Sequence, residues 1–275
     1  GCQFFHGGLG CGCVCNRLQL PVAFLRVVHL SGRQVRQFSY HAVVFNEYLL
    51  FHGINSDSKD VLREEFQKYL RMGGFPAVHT GDYSSNRFIS WYMTSIFRHL
   101  ARYGTAARYP NVELLERVVR FVFDNIGSRL NAKNIADYFK SQQRRVDINT
   151  VYNYLDALQG AFIIQRVPRY DIKGKEQLQT NEKYFVSDLS LVYAVMGYKD
   201  RMISGALENI VYWEMKRRGY NTFIGKQDSR EVDFVGIRRD EKIYVQVTYR
   251  MESDTTVERE FAPLLDISDH YPNLL

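Results

Sequence analysis

Oxygen-bearing side chains recur at strand spacing in the stretch EVDFVGIRRDEKIYVQVT. Side chains along a strand alternate between its two faces, so Glu231 and Asp233 share one face of the first run, and Gln246 and Thr248 share one face of the second. A hairpin would bring Asp233 beside Gln246, and Glu208 on a preceding helix could add a third oxygen. Carboxylate and amide oxygens suit Mg²⁺, which can generate hydroxide and stabilise charge on a phosphodiester. The stretch therefore indicates a metal-dependent nuclease centre, a relic of one, or an ordinary hairpin.

The same residues resemble the PD-(D/E)xK nuclease-like core. The resemblance implies that Asp233 and Gln246 bind the metal and that Glu208 completes the catalytic set. It also implies a lysine at the position where this chain has Thr248. Because threonine has no cationic group, it cannot stabilise developing negative charge, and the departure favours a degenerate centre.

A substitute for that lysine would have to be relocated from another position. Lys242 has the same face parity as Gln246 but lies roughly 13 Å away along the strand, and Lys226 lies on the neighbouring run. Glu231 is expected to be a solvated or ion-paired strand residue rather than a ligand.

Residues 111–187 give the pattern of a winged helix, in which three helices precede a hairpin. NAKNIADYFKSQ is the second helix, with Asn131 as its N-cap, and DINTVYNYLDALQG is the third, ending at Gly160. In that fold the third helix can lie in the DNA major groove and the hairpin can reach the backbone. Basic side chains would neutralise phosphates, and Asn could pair with adenine edges. The predicted DNA contacts are Arg144, Arg145, Asn149, Thr150, Tyr152 and Asn153 around the third helix, and Arg166, Arg169, Lys173 and Lys175 in the hairpin.

A wider resemblance covers roughly residue 31 to the end. YLRMGGFPAV, NVELLERVVRFVFDNIGS, NTVYNYLDAL, RVPRYDIKGK, ALENIVYWEMKRRGY and EREFAPLL together resemble the bacterial and archaeal P-loop ATPases of the AAA superfamily that carry domain of unknown function 4143 at their C-terminus. The resemblance implies a nucleotide-binding core, a helical and winged-helix middle, and a nuclease-like C-terminal domain. The chain has no G-x4-G-K-[ST], so ATP binding is not expected of it.

The predicted fold class is α+β multidomain, with a helical lid remnant, a winged helix and a nuclease-like α/β domain. The predicted units are a poorly interpretable N-terminal remnant at 1–30, a helical ATPase-lid-like segment at 31–110, the winged helix at 111–187, and the nuclease-like domain at 188–275. The last unit is expected to be truncated, since the sequence stops before the final strand and helix that the resemblance implies.

Composition narrows the environment and the partners. The net charge of +6 suits a polyanionic partner. The sequence contains no run of about 18 apolar residues, so a membrane span is not expected. The four cysteines, Cys2, Cys11, Cys13 and Cys15, precede a chain that otherwise has none, which fits a reducing compartment and a cytoplasmic location. Cys11, Cys13 and Cys15 have C-x-C-x-C spacing and could form a metal knot with His6. A zinc site usually has a second pair of ligands further along the chain, which is absent here. A disordered or non-native leader is therefore the favoured interpretation.

The function that follows is a DNA-binding accessory part of an AAA-type ATP-binding protein, with a degenerate nuclease-like domain. The alternatives are a Mg²⁺-dependent DNA endonuclease and a protein-interaction module. No cofactor is certain from the sequence, although Mg²⁺ is the candidate ion. The expected partners are DNA and either an ATPase core or further copies of the chain, without a membrane.

Overall fold

The structure is a computed structural model, and it describes residues 29–31, 34–36, 42–75, 78–79, 93–94, 112–249, 262–265, 267, 269 and 271–274. The helices are α1 (Phe45–Phe51), α2 (Lys59–Met72), α3 (Val112–Asp124), α4 (Ala132–Ser141), α5 (Ile148–Gly160), α6 (Leu189–Met196) and α7 (Ile203–Arg217), with a 3-10 turn at Asp200–Met202. The strands are β1 (His29–Ser31), β2 (Gln34–Arg36), β3 (Arg129–Leu130), β4 (Ile164–Asp171), β5 (Glu176–Val186), β6 (Asn221–Gln227), β7 (Arg230–Arg238), β8 (Glu241–Val245) and β9 (Asn273–Leu274).

Local sequence explains where the central helices begin and end. The side chain of Asn131 accepts a hydrogen bond from the backbone N–H of Asn134, which confirms the predicted N-cap of α4. The side chain of Asp147 caps α5 in the same way, and α5 ends at Gly160 as predicted. The glycine at 127, with φ of 75°, lets the chain turn sharply after α3. These helices therefore follow from capping chemistry and apolar spacing.

Seven of the described strands form one mixed sheet in the order β3-β5-β4-β6-β7-β8-β9. The β4–β5 hairpin from the predicted winged helix joins the later strands through parallel pairing of β4 with β6. The sheet thus connects the two sequence units on either side of the predicted boundary at 187/188. Mixed α+β architecture is established by these strands and the helices packed on them.

The sheet is strongly curled. Arg129 lies on its first strand and Glu231 on its fifth, yet Arg129 Nε is 2.5 Å from Glu231 Oε2. Four strand spacings of about 4.8 Å would put those strands roughly 19 Å apart in a flat sheet. Register shifts between Val167 and Arg169 and between Phe223 and Gly225 supply bends of the kind that β-bulges cause. The curl brings distant strands around one concave face.

Three apolar clusters surround this sheet. The largest joins α3, α4, α5 and α6 with the open end of the β4–β5 hairpin, away from its turn. The second lies between α7 and the sheet and includes Tyr212, Phe185 and Phe234. The third lies among Ile172, Val232 and Tyr244 with the short helical turn at 262–265. Helix α7 is therefore fixed against the concave face by its apolar side chains.

A buried carboxylate ties α2 to the rest of the molecule. Asp188 Oδ2 accepts a hydrogen bond from the backbone N–H of Gly74 at 2.7 Å, and Oδ1 accepts one from the N–H of Ser190 at 2.8 Å. Burial raises the pKa of Asp188, against these hydrogen bonds. A side chain at Gly74 would overlap the carbonyl oxygen of Val43, so the GGF segment after α2 needs glycine there.

Several predicted elements differ from the structure. In the sequence, KGKEQLQTNE separates the β-like runs FIIQRVPRYDIKG and KYFVSD and is expected to be their connection. β5 instead begins at Glu176, so most of that connection is strand, because Glu176, Gln177 and Leu178 pair with β4. β8 ends at Val245, earlier than predicted. Helix α6 was not predicted, although Asp188 caps it and Gly197 follows it. The sequence also predicts a helix at 85–102, a helix in TTVEREFAPLLDI and a strand in LQLPVAFLRVVHL. These segments fall largely outside the described residues, and so do the cysteines.

Among the described residues, none of the helices combines the length and the hydropathy that crossing a membrane would require.

Candidate functional site

A buried lysine is the centre of the charged site on the concave face. Lys183 on β5 is 3% exposed. Its Nζ lies 2.8 Å from Glu208 Oε2, 2.9 Å from Glu231 Oε1 and 3.8 Å from Asp233 Oδ1. Three carboxylates from α7 and β7 therefore converge on one ammonium group. We call Lys183, Glu208, Glu231 and Asp233 the lysine–carboxylate cluster.

Close backbone contacts place Glu208 in this cluster. α7 approaches the turn after α3 so closely that a side chain at Gly205 would overlap the carbonyl oxygen of Ile126. A Cβ at Gly127 would lie 3.2 Å from the Glu208 carboxylate. A cavity of about 170 Å³ adjoins Glu208 and is also lined by Ser128 and Ser204. Gly127 and Gly205 thus allow α7 to lie close enough for the Glu208 carboxylate to reach the sheet.

Asp233 and Gln246 meet as the hairpin predicted, but their oxygens serve the backbone. Gln246 Oε1 accepts a hydrogen bond from the N–H of Asp233 at 3.2 Å, and Asp233 Oδ2 accepts one from the N–H of Val247 at 2.8 Å. Gln246 and Thr248 follow the end of β8 rather than lying within it. These bonds anchor the segment after β8 to β7.

The donor set does not fit a Mg²⁺ ion in this arrangement. An ammonium already lies among the carboxylates at hydrogen-bond distance, and a second cation at that position would be repelled by it. Gln246 Oε1 and Asp233 Oδ2 are taken by backbone N–H groups. Within the described ranges, no group of three or more His, Cys, Asp or Glu side chains is arranged to hold a metal. The cluster is thus compensated by the protein's own cation.

Burial and mutual charge shift the pKa values in the cluster. Burial raises the pKa of Glu208 to about 7, with Lys183 opposing that rise and Asp233 adding to it. Burial acts to lower the pKa of Lys183, but Glu208, Glu231 and Asp233 outweigh it and the net shift is upward. For Glu231, burial acts to raise the pKa, but Lys183 and Arg129 bring it below its ordinary value. Lys183 therefore stays charged, while Glu208 is the carboxyl group that gains a proton near neutral pH.

Arg129 closes one side of the cluster. Its Nε donates to Glu231 Oε2 at 2.5 Å, and its side chain is 47% exposed. The ion pairs of Glu231 with Arg129 and Lys183 confirm the expectation that this residue is an ion-paired strand residue.

Lys183 was missed by sequence reasoning, and the two expected substitutes lie elsewhere. Lys226 Nζ lies 3.3 Å from Asp171 Oδ2, and Lys242 lies beside Asp269 and the ring of Tyr271. The available signal was a lone lysine before the apolar run YFV in a strand. A charged residue at such a position needs a buried partner, but only the curl of the sheet shows which partners it has.

The predicted DNA contacts around α5 are largely at the surface. Arg144, Arg145, Asn149 and Tyr152 are exposed, while Thr150 and Asn153 are partly buried. Arg144 also lies 3.3 Å from Glu113 on α3. Four of these residues therefore lie in the N-terminal half of α5, and Arg144 and Arg145 lie in the segment just before it.

The predicted hairpin contacts divide into exposed and buried residues. Lys173 and Lys175 are exposed in the β4–β5 turn, and Lys173 Nζ lies 2.5 Å from Asp228. Arg166 is exposed and lies 3.5 Å from Glu182. Arg169 is only 7% exposed and lies on the β4 segment that pairs with β6, so it is not at the surface as the other three are.

About half of the sequence matches a known family model. A family model described as a domain of unknown function (DUF8612) matches residues 63–201, just over half of the chain. The chain belongs to this family. The matched span runs from within α2 to the 3-10 turn, so it contains Lys183 and the Asp188 contact and ends before Glu208.

Two curated relatives share most of this chain. An uncharacterized protein of Haemophilus influenzae is 35% identical over 250 residues, covering 90% of this chain and 60% of the relative. An uncharacterized protein of Methanocaldococcus jannaschii is 27% identical over 229 residues, covering 78% of this chain and 50% of the relative. This DUF8612 chain thus spans little more than half the length of the curated relatives it matches. The search of solved structures gave no match.

Proposed function

We propose that this chain is a DNA-binding accessory part of an AAA-type ATP-binding protein, with a nuclease-like domain that does not cut. The DNA-binding part would be the winged helix formed by α3, β3, α4, α5 and the β4–β5 hairpin. The pairing of the short strand β3 with β5 supports that fold, since it lays a strand between the first two helices on the hairpin. The proposal rests on the sequence resemblance for its ATPase part.

The exposed N-terminal face of α5 is the observation that carries DNA binding. Asn149 and Tyr152 are exposed there, and Arg144 and Arg145 precede the helix. In helix-turn-helix proteins the N-terminal residues of the recognition helix contact base edges, while flanking cations neutralise phosphates. Lys175 in the hairpin turn adds a second exposed cation. Together they form a surface with the chemistry that a duplex requires.

The lysine–carboxylate cluster supports the non-cutting part of the proposal. Lys183 compensates the carboxylates that a catalytic metal would need, and backbone groups take the remaining oxygens. The same acids in a nuclease-like frame would then stabilise the fold rather than activate water. The ATPase core would lie outside this chain, and the proposed location is the cytoplasm.

Fluorescence anisotropy with a labelled duplex of about 20 base pairs tests DNA binding. We expect affinity to fall steeply between 50 and 200 mM salt, because each neutralised phosphate adds about 0.9 to the salt slope. The double variant Arg145→Ala with Lys175→Ala should bind more weakly and reduce the slope by about 2. Arg63→Ala, which removes an exposed arginine from α2, is the matched control and should leave both unchanged.

The outcomes separate the candidate functions. Absence of duplex binding at 50 mM salt would reject DNA binding and favour the protein-interaction alternative. Equal losses in the double variant and the control would indicate nonspecific charge attraction rather than a surface at α5.

A metal-dependent DNA endonuclease is the second candidate, and one observation favours it. Lys183 brings to the carboxylates the lysine that Thr248 does not provide. Incubation of linear, branched and single-stranded DNA with Mg²⁺ or Mn²⁺ tests this candidate. Cleavage that Asp233→Ala abolishes and the exposed Asp137→Ala retains would establish a nuclease and reject the non-cutting proposal.

A further inference from the structure

Arg169 on β4 carries a buried guanidinium group that lacks a direct partner in the part of the chain that the structure describes. The residue is 7% exposed, and its Nε has no hydrogen-bond partner among the described residues. No ion pair of Arg169 occurs within those ranges either. Burying a charged group without a partner is costly, so native proteins normally pair such a group. Within the described ranges, the guanidinium therefore has no anion in direct contact.

The neighbouring carboxylates are already engaged. Glu231 accepts from Arg129 and lies 2.9 Å from Lys183 Nζ. Asp171 Oδ1 accepts from the N–H groups of Lys173 and Gly174, and Oδ2 lies 3.3 Å from Lys226 Nζ. The two acids that act electrostatically on Arg169 thus have other cations or amides as partners. An external anion could take the place beside its guanidinium.

Arg129 provides a second cation on the same side of the sheet. Its bond to Glu231 uses Nε, and its terminal nitrogens make no hydrogen bond among the described residues. Burial lowers the pKa of Arg169, and the charge of Arg129 is the next largest cause, with Glu231 opposing it. The exposed Arg129 and the buried Arg169 thus affect each other electrostatically across the curled sheet. The carboxylate of Glu231 acts on both guanidinium groups.

We propose that Arg169 and Arg129 form a subsite for a phosphate group at the edge of the lysine–carboxylate cluster. Guanidinium groups match the geometry of phosphate oxygens and can donate to two of them at once. A phosphate would supply an anion for Arg169 and would accept from the terminal nitrogens of Arg129, which make no hydrogen bond within the described ranges. The inference deepens the proposed DNA binding and rests on it for the source of the phosphate, a nucleic-acid backbone rather than a free ion.

Thermal unfolding with inorganic phosphate tests the subsite directly. A ligand that binds the folded state raises the melting temperature, and at ten times its dissociation constant the rise should be about 3 °C. We expect this rise in the wild type, relative to chloride at equal ionic strength, and its loss in Arg169→Met. Arg166→Met, an exposed arginine on the same strand, should retain it. In phosphate-free buffer Arg169→Met should be as stable as the wild type or more so, because it removes an uncompensated buried charge.

A labelled single-stranded 12-mer and the duplex distinguish the sources. Loss of 12-mer or duplex affinity in Arg169→Met, beside its lost phosphate response, supports a backbone phosphate. A phosphate response without any effect on either nucleic acid overturns the backbone source. No phosphate response in the wild type, with duplex binding intact, overturns the subsite and leaves the α5 surface standing.

If Arg169→Met does not fold, Arg129→Gln decides, since Arg129 is half exposed. A phosphate response of wild-type size in that variant overturns the proposal, and a reduced response supports it. Absence of duplex binding by the wild type, with the phosphate response present, would instead reject the proposed function alone.

Discussion

Lys183 partly compensates three carboxylates that are largely withdrawn from solvent. Two of them lie on one strand and the third on a helix, and the ammonium meets all three while being 3% exposed. Removing one member of a buried ion cluster leaves its partners with uncompensated charge, which costs more than the cluster contributes when intact. The residue is therefore a sensitive probe of the site.

Lys183→Met should lower the free energy of unfolding by about 3–5 kcal/mol, because it leaves buried carboxylates without their cation. Urea unfolding monitored by circular dichroism measures the loss. Lys133→Met, on the exposed side of α4, is the matched control and should change stability by less than about 0.5 kcal/mol. A change below about 1 kcal/mol at Lys183 would show that the carboxylates have solvent or another cation available.

Glu208 makes stability depend on pH in a defined window. Its folded pKa of about 7 lies above the ordinary 4.5, so between these values the folded state holds a proton that the unfolded state releases. Stability therefore falls as pH rises through this window. Glu208→Gln lacks that loss, so its stability relative to the wild type should rise by on the order of 2 kcal/mol from pH 4.5 to 7.5. Urea unfolding across this range measures it, with exposed Glu176→Gln as control, and parallel profiles of wild type and Glu208→Gln would contradict the assignment.

Residue types predicted part of this site. Asp233 and Gln246 are brought together because strand alternation and a short hairpin determine their relation. Lys183 could not be placed in the same way, since its contact with Glu231 joins strands that are not neighbours in the sheet. Arg169 was assigned to the DNA surface because sequence shows its charge but not its burial.

At the scale of elements, the position of α7 depends on a close approach to the turn after α3. Gly205 lies at the point of contact, where any side chain would meet the carbonyl oxygen of Ile126. The run GALENIVYWEMKRRG predicts a helix that Gly219 ends, and α7 occupies it. The need for glycine at 205, however, depends on a neighbour that is remote in sequence. Helix capping, in contrast, was predictable at Asn131 because the cap and its partner are three residues apart.

Gly205→Ala should destabilise the fold by about 1–3 kcal/mol, because α7 must shift away from the turn and carry Glu208 with it. Gly160→Ala is the matched control, since a Cβ at that helical position meets open space. The control should be neutral or stabilise by up to about 1 kcal/mol through helix propensity. Thermal unfolding of both variants measures the difference, and equal melting temperatures would show that α7 is not held at this contact.

At the scale of the whole molecule, Asp188 connects the helices near the N-terminal side to the sheet-bearing part. Its carboxylate bonds the segment after α2 and caps α6 at the same time. The predicted division into units at residue 110 and residue 187 rests on composition and resemblance. The structure adds contacts across both positions, through Asp188 and through the β4–β6 pairing.

Asp188→Ala should lower the free energy of unfolding by about 2–3 kcal/mol, because it leaves buried N–H groups without their charged acceptor. It should also speed proteolytic cleavage between α2 and α3, since the segment after α2 loses its hydrogen bond to the buried carboxylate. Limited trypsin digestion with mass spectrometry measures the second effect. Exposed Asp137→Ala is the control, and identical cleavage patterns would show that Asp188 does not hold α2.

The curl of the sheet also has a consequence for the order in which the chain folds. Arg129 and Glu231 are 102 residues apart, whereas β4 and β5 are joined by a short turn. Contacts between distant residues pay loop-closure entropy before they gain stability, so hairpins and helices form ahead of them. The charged centre should then assemble late, and substitutions at Arg129 should speed unfolding while leaving the folding rate nearly unchanged. Completion of the centre would mark the moment at which the sheet has closed around it.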